Sequence, residues 1–321
     1  MWDAECAVSA LRARGELWEV SPGLVGLRGD ALELLRRIEA EIDVLAAAED
    51  ADEWRVPPAI PLETLERADY FRSFPQWLTL AAHLRADDAS LRHVAESAHP
   101  AAAARSAVAP AEAALVPAVC YHCYARHAGT TIAGRVAIAA QQICWRHEGP
   151  RLAPLERAWA FTMREIVVLG TPEMTGVFLR RGRQASMRLA ASLGLDVRVA
   201  EAEDPFFAPT SRGRQLLQRV KGLKRELLAP IARGRDLAIA SFNDHESFFG
   251  ESFAIRLASG GRASSACIAF GAERWLLAVL VAHGPDARGW PDVVRHVTAT
   301  PASPTPRPSL AFANRETTVS C

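Results

Sequence analysis

The chain has no excess of either charge. Lysine plus arginine and aspartate plus glutamate each total 37, so the formal net charge is zero. No global field draws it toward nucleic acid; only a local basic patch would do so. It has no apolar run of the roughly 20 residues that a membrane-spanning helix needs, so no membrane partner is expected. Residues 1–20 mix acids with apolar residues and lack the basic opening and apolar centre of a secretory signal. Cysteine is sparse, with six in 321 residues (Cys6, Cys120, Cys123, Cys144, Cys267 and Cys321). So few cannot frame a disulfide-stapled fold, and the reading is a reducing cytoplasm with thiols free or metal-bound. Cys120 and Cys123 form one C-x-x-C with no second pair, so a structural four-ligand zinc site is not supported. There is no internal repeat. What remains is an ordinary globular composition, half apolar and 23% charged. The length suffices for one large core or two modest ones.

The stretch 143–170 organises the chain and reads as strand, polar loop, strand. Cys144, Arg146 and Glu148 alternate along the first arm, and Phe161, Met163 and Glu165 along the second, so each set shares one face of an extended strand. An arginine and two carboxylates beside an aromatic do not make a core face. Buried charges are costly unless they are paired, bound to metal or used by a ligand.

Around this hairpin the patterns are conventional. Residues 22–48 open with turn residues and continue as an amphipathic helix carrying Leu32, Leu34, Leu35, Ile38, Ile42 and Leu45, for packing or dimerisation. Residues 53–59 read as a short extended piece stopped by Pro57 and Pro58. Residues 61–68 read as a helix, 70–85 as aromatic-rich and then strand-like, and the Ala-rich 87–115 as helical with a mobile middle. Residues 115–120 read as an apolar strand ending in Cys120, followed by a polar loop over 121–131. Thr171-Pro172 with Glu173 starts a helix over 171–193. Residues 196–200 read as a strand and 202–207 as a turn. Residues 211–228 carry Leu216, Leu217, Val220 and Leu223 at helical spacing and six basic side chains. Residues 236–242 and 265–270 read as buried strands, 271–283 as an apolar helix, and the Pro-rich 301–321 as a disordered tail. Strands joined by hairpins and long excursions predict an α+β fold, an antiparallel sheet flanked by helices. The domain boundaries are a helical segment over 1–50 packed on the core, a main domain over 51–300, and the tail.

Three groups of residues bear on chemistry. Arg146, on an apolar strand, and Arg274, heading an apolar helix, would each ordinarily be a structural ion pair. Two such arginines far apart in sequence suit a polyanion better, because a guanidinium grips phosphate oxygens bidentately. The cysteines are individually more often small buried hydrophobes. Mixed Cys/Cys/carboxylate ligation with one position open would suit a zinc that binds substrate, though spacing alone does not select the ligands. The basic segment 211–228 is either a solvated helix face or a docking surface for an acidic partner.

Several of these pieces, in order, resemble a known family. R-x-E (Arg146, Glu148), Phe161 in AFTMREIVVLG and FGAER (residues 270–274) are similar to motifs 2 and 3 of class II aminoacyl-tRNA synthetases. The closer resemblance is to the amino acid:[carrier protein] ligases, truncated homologues of the atypical zinc-dependent seryl-tRNA synthetases. It rests on YFRSFP, VPAVCY, FTMREIVVLGTPE, EDPFF, LKRELLAPI, ASFNDH and ACIAFGAERW, covering roughly residues 50–297. The resemblance implies a class II synthetase-like domain that activates a small amino acid with ATP to an aminoacyl adenylate. The acyl group then passes to the phosphopantetheine thiol of an acidic carrier protein.

It implies that Arg146 holds the α-phosphate, Glu148 reads the adenine amino edge, Phe161 stacks on adenine and Arg274 holds the γ-phosphate or pyrophosphate. It places zinc on Cys120, Glu165 and Cys267, with the substrate amino group in the open position, and leaves Cys123 and Cys144 as bystanders. Asn243 and Ser241 would line the amino acid pocket. Mg2+ would accompany ATP, with Asp236 as one ligand. A docking helix over about 208–223 would meet the carrier through Arg212, Arg214, Arg219 and Lys221, with Lys224 assigned either to that helix or to the strand after it. A homodimer is implied as well. The loop 149–158, Thr162 and Ile166 depart from the family pattern, which bears on pocket shape or carrier preference. A tRNA synthetase is the weaker alternative, since no long N-terminal arm and no basic excess are present. The other alternative is a catalytically inactive paralogue serving as a binding subunit.

Overall fold

The fold comes from a computed structural model that describes residues 2–205, 207 and 222–294. Its centre is a seven-stranded sheet. In chain order its strands are β1 (Asp52–Arg55), β2 (Val136–Trp145), β3 (Ala160–Gly170), β4 (Arg198–Glu201), β5 (Lys224–Ala232), β6 (Arg235–Asp244) and β7 (Ser264–Gly271). The spatial order is β4-β5-β6-β7-β3-β2-β1. Every pairing is antiparallel except that of the short edge strand β1 with β2.

Strand side chains alternate between faces, and the two faces serve different ends. Ala139, Ile166, Val168, Phe242, Ile268 and Phe270 point to a core built with the helices α1 (Ala4–Ala13), α2 (Gly29–Ala47), α4 (Pro172–Ser192) and α5 (Ala272–His283). Ile138, Ala140, Met163, Val167 and Cys267 point the other way, onto a second core around the short helix α3 (Cys120–Arg126). The second face carries the cavity described below. The N-terminal segment is part of the first core: Leu11, Leu34, Ile38 and Ile42 are fully buried there with Trp275. Among the described residues, no helix is long and apolar enough to cross a membrane.

The helix expected after the turn residues of 22–48 begins at Gly29, past a hairpin in which Leu24–Leu27 pairs back on Leu17–Ser21. Three expectations from the sequence are corrected. Close to Cys120, the strand is only Ala113–Leu115, and Cys120–Arg126 is a helix rather than a strand end and polar loop. That helix buries Cys120, Tyr121, Cys123 and Tyr124 at helical spacing, a pattern hidden by the intervening His122. The first hairpin arm starts at Val136 and ends at Trp145, so Arg146 and Glu148 lie just past the ladder. Arg146 still donates its backbone N–H to Trp159 O at 2.9 Å, which closes the hairpin mouth. Residues 224–232 form a strand, not the end of a helix, because they pair with neighbours on both sides.

Candidate active site

The sheet register builds the site. Cys267 in β7 lies opposite Val167 in β3 and Asn243 in β6. Ala269 lies opposite both Glu165 and Ser241. Glu165, Cys267, Asn243 and Ser241 thus project from three adjacent strands into one cavity of about 510 Å3, which is also lined by Arg146, Glu148, Phe161 and Arg274. The expected site residues within the described chain, Asp236 excepted, therefore line one cavity. Arg212, Arg214, Arg219 and Lys221 lie outside the described residues.

Cys120, Glu165 and Cys267 are all buried, and one ligand atom of each lies within 4.8 Å of the others. A tetrahedral ion about 2.3 Å from sulfur and about 2.1 Å from oxygen separates its donors by roughly 3.5–3.8 Å, so this set fits one metal ion after a slight contraction. The Cys120 backbone N–H donates to Glu165 Oε2 at 2.6 Å and fixes the carboxylate. Burial, with the neighbouring Cys267 sulfur, pushes the Glu165 carboxyl well above its usual range. The hydrogen bond with Cys120 holds the Cys267 thiol well below its ordinary value against burial, and His245 and Asn243 act in the same direction. The same bond pushes the Cys120 thiol up. Two thiols and a carboxyl so arranged share protons that a cation would displace. Among the described residues this is the one such cluster of metal-ligating side chains. Cys123 and Cys144 are buried and outside it.

The arginines are held by main chain. Arg146 Nε donates to Pro117 O at 2.9 Å, and its guanidinium lies over the rings of Trp77 (5.3 Å) and Phe161 (5.6 Å). Arg274 donates to Glu156 O at 2.9 Å and Ala238 O at 3.0 Å. Burial, and then the charge of Arg146, lowers the pKa of Arg274. Two cations that repel across a cavity and, among the described residues, hydrogen-bond only to carbonyls are arranged for an anion. Glu148 is paired with Arg157 at 2.8 Å.

Some residues fall elsewhere than expected. Asp236 is at the far end of β6 from Asn243 and is bonded to Arg198 at 2.7 Å, so it is not a magnesium ligand of this cavity. Ile166 points into the helix-side core and does not shape the cavity. Thr162 touches the cavity only through Glu273, which accepts from its backbone N–H and hydroxyl at 2.9 Å. Lys224 belongs to the strand and is paired with Asp204 at 2.6 Å. Sequence reasoning missed Glu273 and His245. The alternation Ser241-Asn243-His245 was available as a signal for the latter, since it continues the cavity-facing side of β6.

No family model matches the chain. Among solved structures, Methanopyrus kandleri SerRS, in complex with A. aeolicus tRNASec, superposes with a TM-score of 0.81 at 21% identity over 90% of this chain and 59% of that one. Giardia lamblia prolyl-tRNA synthetase, in complex with prolyl-adenylate, superposes with a TM-score of 0.71 at 13% identity over 91% and 55%. The fold is that of class II aminoacyl-tRNA synthetases. By sequence, amino acid--[acyl-carrier-protein] ligase 1 of Bradyrhizobium diazoefficiens is 32% identical over 246 residues, 76% of this chain and 75% of that protein. Ligase 2 of the same organism is 32% identical over 278 residues, 86% and 82%. The type-2 serine--tRNA ligase of M. kandleri is 28% identical over 161 residues, 47% and 30%. The chain belongs to the amino acid--[acyl-carrier-protein] ligase family.

Proposed function

We propose that this chain activates a small amino acid with ATP and transfers it to the phosphopantetheine thiol of a carrier protein. The observation that carries this is the meeting, in one cavity, of two main-chain-held arginines with a buried Cys/Glu/Cys donor set. In the first step the substrate carboxylate attacks the α-phosphorus and pyrophosphate leaves. In the second the carrier thiol attacks the acyl carbon and AMP leaves.

Arg146 holds the α-phosphate where negative charge builds, and Arg274 takes the γ-phosphate and then the departing pyrophosphate, both as preorganised donors. Stacked on Phe161, adenine would take the place the Arg146 guanidinium now shares with that ring. Glu148 would accept from the adenine amino group. Mg2+ would accompany ATP. Cys120, Glu165 and Cys267 would hold zinc, which supplies an open coordination position for the substrate amino group. Ser241 and Asn243 border that position. The carrier would dock on the basic segment through Arg212, Arg214, Arg219 and Lys221.

Amino-acid-dependent pyrophosphate exchange by the zinc-replete protein, screened over amino acids, tests the first step. Label transfer from the activated amino acid to a phosphopantetheinylated carrier, with tRNA as the competing acceptor, tests the second. No exchange with any amino acid rejects the enzyme, and transfer to tRNA alone rejects the carrier ligase.

A further inference from the structure

Cys267 has more company than a metal ligand needs from its own triad. Its register partner Asn243 places Nδ2 3.4 Å from Sγ, and His245 places Nε2 at the same distance. The Asn243 amide also reaches Ser241 Oγ at 3.1 Å. The His245 ring is fixed from both directions. Its backbone N–H donates to Ser265 O at 2.9 Å, and the ring meets Phe249 edge-on at 4.8 Å and Tyr124 at 6.2 Å. His245 is not itself within the donor cluster.

We infer that His245 and Asn243 are positioning residues that donate N–H···S hydrogen bonds to the Cys267 thiolate and hold it as a metal ligand. This rests on the zinc reading above. A metal-bound thiolate has no proton to give and only accepts, so both contacts run from N–H to sulfur. The same constraint places the Asn243 NH2, rather than its oxygen, and the His245 Nε2–H against the sulfur. Hydrogen bonds of this kind orient a ligand and withdraw charge from it. Loss of such an outer partner typically costs about 10- to 100-fold in metal affinity. The aromatic wedge around His245 fixes the donor's direction in advance, so little order is lost when the metal enters.

The test compares zinc release from full-length protein to a chromogenic chelator, together with the visible spectrum of the Co2+-substituted form. His245→Phe keeps the ring contacts and deletes the N–H. His245→Gln places an amide N–H near the Nε2 position. His245→Phe should release zinc about 10- to 100-fold more readily. Its thiolate-to-cobalt charge-transfer band should move to lower energy, since the sulfur lone pair is no longer stabilised. His245→Gln should recover most of both. Should His245→Phe fail to fold, Asn243→Ala removes the other N–H without touching the aromatic cluster and should shift both readouts in the same direction. Wild-type zinc retention and band position in the variants overturn the outer-shell role and leave the metal site standing. A His245→Gln variant as impaired as His245→Phe also overturns it, since the imidazole would then act as something other than an N–H donor. A zinc-free wild type after zinc-replete purification rejects the metal reading itself.

Discussion

At the residue scale, the cavity is defined by carboxyls and sulfurs placed where water cannot solvate them. Cys267, 2% exposed, is the clearest single lever. Cys267→Ser replaces a soft thiolate with a hydroxyl that binds zinc poorly. Metal analysis should find the zinc lost and pyrophosphate exchange should vanish, while ATP binding by calorimetry persists, because Arg146 and Arg274 do not depend on the sulfur. Zinc retained at wild-type level would show that the ligand set is different. Glu273 gives a second handle. Burial raises its carboxyl from an ordinary 4.5 to about 7, against the pull of Thr162. The folded protein therefore holds this proton more tightly than the unfolded chain. The stabilisation is complete below about pH 4.5 and is lost as pH rises through about 7. Glu273→Gln carries no such proton. Over that window the wild type should lose melting temperature relative to the variant, and the difference should level off above it. A difference that does not change with pH would mean that Glu273 ionises normally.

At the scale of elements, α4 approaches β7, and the short helix Phe248–Ser252 the residue just before β7, at glycines. A Cβ on Gly182 of α4 would come within 2.0 Å of Ile268 Cδ1, and one on Gly250 would come within 2.0 Å of the Ala263 carbonyl oxygen. The first obstacle is a side-chain methyl and the second is backbone. Gly182→Ala should destabilise by about 1–3 kcal/mol in urea denaturation, and Ile268→Val, which deletes the methyl, should recover most of that. Gly250→Ala should cost more and find no such rescue. Equal costs would mean that α4 can lift from the sheet as a body. The same contrast between side chain and backbone governs what the sequence disclosed. The cavity face of the second hairpin arm was legible because period-two alternation survives any packing, and Met163 and Glu165 do face the cavity. The same alternation turns Ile166 to the helices, against its expected part in pocket shape, and the first arm ends before Arg146 and Glu148. The helix at Cys120 was not legible, since a seven-residue helix offers barely two turns of pattern. Its position under β3 is set by the Cys120 N–H bond to Glu165, a contact 45 residues away in sequence. Glu273 was hidden for a related reason: its hydrogen-bond partner Thr162 is 111 residues distant.

At the scale of the whole molecule, charge is balanced, with 37 residues of each sign. Long-range attraction to an acidic carrier protein then has no general source, because screening at about 0.1 M salt confines exposed charges to roughly 10 Å. Steering must come from a local concentration of one sign, and Arg212, Arg214, Arg219 and Lys221 fall within ten residues of one another. Adenylate formation would use a cavity whose arginines are held by backbone carbonyls, so it should be indifferent to the charge of that segment. The double change Arg214→Glu and Lys221→Glu should therefore separate the two half-reactions. Transfer to the carrier should slow through a higher KM for the carrier and lose much of its salt dependence, as expected when rim charges set the encounter rate. Pyrophosphate exchange with the same amino acid should stay within about twofold of wild type, since the proposed adenylate-forming residues Arg146, Glu148, Phe161 and Arg274 are left unchanged. An equal loss in both half-reactions would place these side chains in the catalytic cavity rather than on a docking surface, and an unchanged KM for the carrier would move the docking surface elsewhere.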